Sequence, residues 1–256
     1  MQGKKIYHNS MDNRTLSFYS FNARGLNTYK KRVILFDWLH DTNIDIICLQ
    51  ETHFIENQKY FYDSRWFGKK FHCFSDSVHS RGVTILFKKN IDIEVINHHF
   101  SQDGRKLLIN FKYKENIFSL VNVYLPNHEK PRVDFLKRLL TWVNQNATNH
   151  DNLIVCGDFN CQLDKSNDKS SSILKKFINM FNLTDSWTSS AKSQDQGFTW
   201  CDANNRPQSR IDYVFISKNI VHMYIHYVAY SYGFSDYLEY ALNLTVLNIG
   251  NSMYHS

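Results

Sequence analysis

Asn152-Leu153-Ile154-Val155-Cys156-Gly157-Asp158-Phe159-Asn160 sets an apolar run directly against a polar ending. The run reads as a strand buried on both faces, the pattern of a sheet covered by other layers. Gly157 lets the chain turn sharply, and two short polar side chains then point to one place. Asp158 can orient or deprotonate a water. Asn160 can donate to a phosphate oxygen as charge builds on it. In isolation the same four residues read equally well as a Gly-Asp turn closed by a side-chain hydrogen bond. The choice depends on whether other strands end in the same way.

Several do. Thr15 to Phe21 alternates as a strand and leaves Asn22 at its end. Ile44 to Leu49 is a nearly continuous apolar run followed by Gln50 and Glu51. Asn116 to Tyr124 alternates and is stopped by Pro126. Asp212 stands on the polar side of the apolar strand Arg210 to Ile216. Further strands are expected over 83–87, 91–96, 107–111, 198–201, 221–230 and 240–247. Apolar residues at helical spacing predict helices over 31–40, 132–143 and 173–181. About ten strands with a few interspersed helices suggest two stacked sheets with helices outside. Asn22, Glu51, Asp158 and Asn160 then share the C-terminal ends of strands, where an α/β site gathers its polar groups.

Composition narrows the class. The chain has 256 residues, 43% hydrophobic and 15% aromatic, which excludes a disordered polymer. With 3 Pro and 9 Gly it advertises no linker. One domain is expected over 15–247, with a flexible segment at 1–14 and a tail at 248–256. Five cysteines form no CxxC pair and no zinc spacing, which suits a reducing compartment. No run of 18 apolar residues predicts a membrane span, and the first residues lack the apolar core of a signal peptide. An intracellular, non-secreted protein is therefore expected. The net charge of +6 suits a polyanionic partner without identifying one.

The strand-end residues suggest chemistry as well. A carboxylate such as Glu51 after a buried strand can hold Mg²⁺, with Mn²⁺ as a substitute, because a hard cation wants a few oxygen ligands. Asn22 alone is as readily a turn residue. Tyr124 could touch a phosphate, although a strand-end aromatic is more often core. Asp212 must find a partner or remain wet. An imidazole, held in one tautomer and stabilised when protonated, would be its natural partner.

Taken in order, Phe21-Asn22-Ala23-Arg24-Gly25-Leu26-Asn27, Leu49-Gln50-Glu51-Thr52-His53, Asn122-Val123-Tyr124-Leu125-Pro126-Asn127, Gly157-Asp158-Phe159-Asn160, Ser209-Arg210-Ile211-Asp212-Tyr213 and Phe234-Ser235-Asp236-Tyr237 resemble the endonuclease/exonuclease/phosphatase superfamily. The likeness is greatest to the endonuclease domains of non-LTR retrotransposons and runs from about Thr15 to Thr245. It implies a four-layer α/β sandwich, two mixed β-sheets flanked by helices, and Mg²⁺-dependent cleavage of a phosphodiester. It implies that Glu51 binds the metal with Asn22 and Asp236 beside it. Asp158 would position the water, and Asn160 and Tyr124 would stabilise the phosphate. Asp212 would pair with a histidine after Asp236.

That histidine is Tyr237. Tyrosine, with a pKa near ~10, is neutral at pH 7 and cannot take up positive charge. A slow enzyme is one outcome. Another is a catalytically degenerate DNA-binding or scaffold protein that keeps the fold, and a third is a phosphatase acting on lipid or nucleotide phosphates. The resemblance also implies DNA as partner, a monomer, and a nuclear place of action. Contacts to DNA are expected from Arg24, Thr199, Arg206 and Ser209, the last three in or beside a short hairpin over 202–209. Relatives of this kind normally precede a reverse transcriptase, so the chain is expected to be an excised domain or a stand-alone relative.

Overall fold

Two β-α-β units set the frame. In the first, β1 (Leu16–Asn22) leads through α1 (Tyr29–Asp41) to β2 (Ile46–Gln50), which lies parallel to β1. After α2 (Lys59–Asp63), the strands β3 (Lys70–Cys73), β4 (Val83–Phe87), β5 (Ile93–Phe100) and β6 (Lys106–Tyr113) follow. The second unit runs from β7 (Asn116–Tyr124) through α3 (Glu129–Asn146) to β8 (Leu153–Asp158), again a parallel pair. Beyond it come α4 (Lys169–Met180), β9 (Leu183–Asp185), α5 (Ser186–Ser189), β10 (Trp200–Cys201), β11 (Pro207–Ser209), β12 (Asp212–Ser217), β13 (Ile225–Phe234) and β14 (Leu238–Leu247). This computed structural model describes residues 16–189, 198–201, 207–220, 225–234 and 238–247. The terminal segments expected at 1–14 and 248–256 lie outside them.

The sheets have matching plans. One has the order β13-β14-β1-β2-β4-β3 and the other β5-β6-β7-β8-β12-β9. In each, the third and fourth strands are the parallel pair and every other neighbour is antiparallel. A helix crossover is what parallel neighbours require, and α1 and α3 supply it.

Alternation along each strand explains the layers. Ile46, Cys48, Ile85 and Phe87 of one sheet pack with Leu107, Phe111, Leu120, Ile154 and Val214 of the other in a shared core. The opposite faces carry Ile47, Leu49 and Leu86 against Leu35, Phe36 and Leu39 of α1. Likewise Val121, Val123 and Val155 pack on Leu136, Leu139 and Val143 of α3 and Leu174 and Phe177 of α4. The layers are therefore helix, sheet, sheet, helix, the four-layer α/β sandwich expected. Cys48, Cys73, Cys156 and Cys161 are free, buried thiols. Among the described residues no helix is long and apolar enough to cross a membrane.

The strand count differs from the expectation. The structure has fourteen strands among the described residues, because β3, β9 and β11 are too short to generate a periodic signal. The strand expected over 198–201 shrinks to Trp200–Cys201. Helix α3 starts at Glu129, ahead of Arg132, since Pro131 sits in the first turn, where its missing N–H would find no helical partner anyway.

Gly157 anchors the pairing of β7 and β8. Its φ is +136°, and a Cβ there would lie 2.0 Å from the Val123 carbonyl oxygen. The three nearest atoms are all Val123 backbone, which cannot swing aside as a side chain can. Gly157→Ala is expected to destabilise the fold by roughly 3 kcal/mol, read as a large drop in the thermal midpoint. An unchanged midpoint would show that the two strands part freely.

Candidate active site

The loops after β1 and β7 are held by two equivalent arginines. Buried Arg32, in the first turn of α1, donates from Nη1 to the carbonyls of Leu26 (2.7 Å) and Asn27 (2.6 Å). Buried Arg132, in the first turn of α3, donates from Nη1 to those of Pro126 (3.3 Å) and Asn127 (2.7 Å). Arg132 is itself fixed by Asp168, 2.9 Å from Nη2. These loops follow Asn22 and Tyr124, the last residues of their strands.

Glu51 lies one residue beyond β2 in the left-handed region, at φ +49°. Its carbonyl accepts from Gly25 N–H at 2.6 Å, tying the two strand ends together. This conformation is uncommon for a side chain of its kind and persists only where the surroundings enforce it. Its carboxylate faces Asn22 and His53. Asn22 Nδ2 donates to Glu51 Oε1 at 2.9 Å and to Asp158 Oδ2 at 2.9 Å. Two acceptor-only carboxylates dictate that the amide nitrogen faces them, and Asn22 Oδ1 accepts from Arg24 N–H instead. Asp158 Oδ1 accepts from Asn160 N–H at 2.9 Å. Asp212 is the cross-strand partner of Asp158 in β8 and β12. Asn22, Glu51, Asp158 and Asp212 thus gather at one end of the sandwich, from both sheets.

The carboxyl groups have opposed electrostatics. Burial pushes Glu51 up, but the adjacent His53, the Asn22 amide donor and the nearby Tyr124 hydroxyl outweigh it and bring the group down to about 2. Asp158 is pushed up to about 6 by burial, against the Asn22 and Asn160 donors and with the Glu51 charge adding to the rise. Asp212 is raised well above the usual range by burial and then by Asp158. Its Oδ1 is buried without a hydrogen-bond partner among the described residues. Tyr124 is held firmly protonated by burial and by the Glu51 charge.

This sets a pH dependence for the metal-free protein. Folded Asp158 keeps its proton up to about 6, whereas an unfolded aspartate releases it near ~3.9. The stabilisation is fully present below that lower value and is lost as pH rises through the upper one. The contribution is at most about 3 kcal/mol. Asp158→Asn should flatten the fall in unfolding free energy between these limits, measured by denaturant titration in chelator. An identical slope in the variant would refute the assignment.

The other expected residues fall as follows. Asn160, at φ +50°, uses Nδ2 to hold the Leu125 carbonyl at 2.8 Å. The Tyr124 hydroxyl donates to Asn127 Oδ1 at 3.3 Å. Arg24 is exposed beside Asn22, at φ +43°. Thr199 Oγ1 accepts from the N–H groups of Ile211 and Asp212, both at 3.1 Å, so its hydroxyl oxygen orients the start of β12. Ser209 is half-buried in the β10-β11 hairpin, opposite Trp200. Arg206, Asp236 and Tyr237 lie outside the described residues.

Two neighbours escaped the sequence reading. His53 Nε2 lies 3.6 Å from Glu51 Oε2. Arg105, in the turn before β6, places its guanidinium 5.0 Å over the Tyr124 ring and donates to the Tyr124 carbonyl at 3.2 Å. It brings a half-buried cation to the tyrosine beside Glu51. The register that pairs Lys106 with Val123 puts the preceding turn next to Tyr124, and no local pattern in the sequence announces it.

Among the described residues no group of three or more His, Cys, Asp and Glu is arranged to hold a metal ion. The donor set, an ionised Glu51 with the Asp158 carboxylate held across the Asn22 amide, fits a hard divalent cation that takes one or two carboxylates and keeps its waters.

A family model described as "Endonuclease/Exonuclease/phosphatase family" matches residues 19–236. The chain is 27% identical over 215 residues to the transposon TX1 uncharacterized 149 kDa protein of Xenopus laevis, covering 80% of this chain and 16% of that protein. It therefore spans about a sixth of that relative's length. Among solved structures, the AP endonuclease LMAP of Leishmania major superposes with TM-score 0.71 at 15% identity, covering 92% of this chain and 88% of that one. The endonuclease domain of TRAS1, a telomere-specific non-LTR retrotransposon, superposes with TM-score 0.65 at 13% identity, covering 91% and 99%. At these identities the structural likeness establishes the fold alone.

Proposed function

The chain belongs to the endonuclease/exonuclease/phosphatase family, and we propose that it is a divalent-metal-dependent DNA endonuclease that nicks phosphodiester bonds. One observation carries the reading. A single amide, Asn22 Nδ2, holds both an always-ionised Glu51 and a proton-accepting Asp158 at 2.9 Å. A group ionising near neutrality is suited to general-base work.

In this reading Glu51 would hold the ion, with Asn22 and Asp236 beside it. Mg²⁺ or Mn²⁺, when bound, supplies positive charge to the phosphate oxygens. Asp158 takes the proton of the attacking water as its oxygen bonds to phosphorus and the bond to the leaving sugar oxygen breaks. Tyr124, kept protonated, and Asn160 donate hydrogen bonds to the phosphate. Asp212 supports residue 237. Arg24, Arg206, Thr199 and Ser209 contact the DNA backbone, fixing register rather than reading bases. The protein would act as a monomer, inside the cell and on nuclear DNA.

Tyr237 favours a second reading, a degenerate DNA-binding protein that keeps the fold. Conversion of supercoiled plasmid to open circle separates the two. Mg²⁺-dependent conversion that stops in chelator is expected. Retardation of the plasmid without conversion, at any Mg²⁺ or Mn²⁺ concentration, would overturn the nuclease reading in favour of the second.

A further inference from the structure

The left-handed Glu51 needs a cause, and the surrounding hydrogen bonds supply one. The ladder between β2 and β4 ends at the pair Leu49 and Thr84. Backbone bonding between the two segments resumes only at Thr52 N–H to the Gly82 carbonyl, 3.0 Å, and His53 N–H to the Arg81 carbonyl, 2.8 Å. Between these points Gln50 and Glu51 leave the ladder. Two carbonyls, those of Leu49 and Thr84, face the gap.

Asn122 fills it from the opposite sheet. It lies two residues before Tyr124 on β7 and is fully buried. Nδ2 donates to the Leu49 carbonyl and to the Thr84 carbonyl, each at 3.0 Å. Its Oδ1 accepts from Gln50 Nε2 at 2.7 Å. Gln50, also fully buried, donates from the same nitrogen to Ser20 Oγ at 3.1 Å. An amide of the second sheet is thus wedged between two strands of the first, where Glu51 turns out of line.

Loss of the Asn122 donors would leave the buried Leu49 and Thr84 carbonyls unsatisfied, a cost to stability that any apolar side chain incurs. The same two bonds also fix the backbone on either side of the Glu51 turn. We infer that Asn122, with Gln50, is a positioning residue that holds Glu51 in its metal-binding conformation and couples it to Tyr124 on the other sheet. This rests on the metal-dependent reading above. Asn122 does not touch substrate or metal. It acts through the backbone on either side of the Glu51 turn.

The test uses Asn122→Leu, which keeps the size and removes the donors. Three quantities are measured: the thermal midpoint without metal, Mn²⁺ affinity by calorimetry, and kcat and KM for plasmid nicking. Outer-shell support of a metal ligand typically contributes ~10-fold or more to metal affinity. About a tenfold loss in Mn²⁺ affinity and a similar loss in kcat are expected, with KM for DNA unchanged. A shifted midpoint with wild-type Mn²⁺ affinity and kcat would mean a merely structural role and overturn the inference. Should Asn122→Leu fail to fold, Gln50→Met retains the Asn122 bonds to both carbonyls and removes the amide bridge together with the Gln50 bonds to Ser20 Oγ and the Cys48 carbonyl. A smaller but measurable loss of Mn²⁺ affinity is expected there, and wild-type affinity overturns the proposal. If the wild type binds Mn²⁺ without nicking DNA, the nuclease reading fails while the affinity comparison still decides this one. If it binds no Mn²⁺, both fail.

Discussion

Glu51→Ala is expected to lower Mg²⁺-dependent nicking by roughly 10²–10³-fold, the loss usual when one group stabilising transition-state charge is removed. The fold should survive. Asn22 keeps its bond to Asp158, and the Glu51 side chain is half-buried rather than part of the core. A second consequence follows from electrostatics. The Glu51 charge is one of the causes raising Asp158. Its removal should therefore move the Asp158 ionisation downward, visible by NMR titration of the metal-free variant. Nicking at the wild-type rate in Glu51→Ala would remove Glu51 from the mechanism.

The second large effect concerns position 237. Tyr237→His should raise the nicking rate by at least about tenfold, a conservative share of a positioned acid–base group. Asp212 is the reason to expect a gain. It is half-buried, raised well above the ordinary carboxylate range, and has a buried, unpartnered oxygen among the described residues. Such a carboxyl would ionise readily beside an imidazolium, which titrates near ~6.5, whereas a neutral phenol gives it only a hydrogen bond. The variant should also gain a pH dependence close to that value. If Tyr237→His is no faster and Tyr237→Phe matches the wild type, position 237 takes no part and another acid–base group must act.

Local patterns made much of this legible. Asn116 to Tyr124 alternates cleanly because one face meets the opposite sheet and the other meets α3, and β7 has those bounds. Leu153 to Cys156 reads as buried because both faces are covered. The sheet order was not legible. Nothing in the periodicity of Leu238–Leu247 says that it lies between β13 and β1, since pairing across 200 residues leaves no local trace. The positions of Asn22, Glu51 and Asp158 followed from strand ends, and their hydrogen bonds are those of neighbours. The roles of Arg105 and of Asn122, the latter inside a matched motif, stayed hidden for different reasons. One is an isolated cation in a turn. The other is a polar residue on an inward face, which becomes meaningful only when the second sheet is laid over the first.

The place of β14 bears on how the chain is made. β1 pairs on one side with β2 and on the other with β14, Leu16 opposite Leu247 and Ser20 opposite Asn243. During synthesis its outer edge has no partner until the ribosome has delivered more than 200 further residues. An apolar strand with an open edge is a template for pairing with another chain. The nascent protein is thus exposed to intermolecular association until β14 has emerged. At roughly 5–20 residues per second that window lasts on the order of tens of seconds or less. Ribosomes stalled before residue 238 should hold chains that recruit chaperones or aggregate, whereas chains released with β14 complete should close the edge at once.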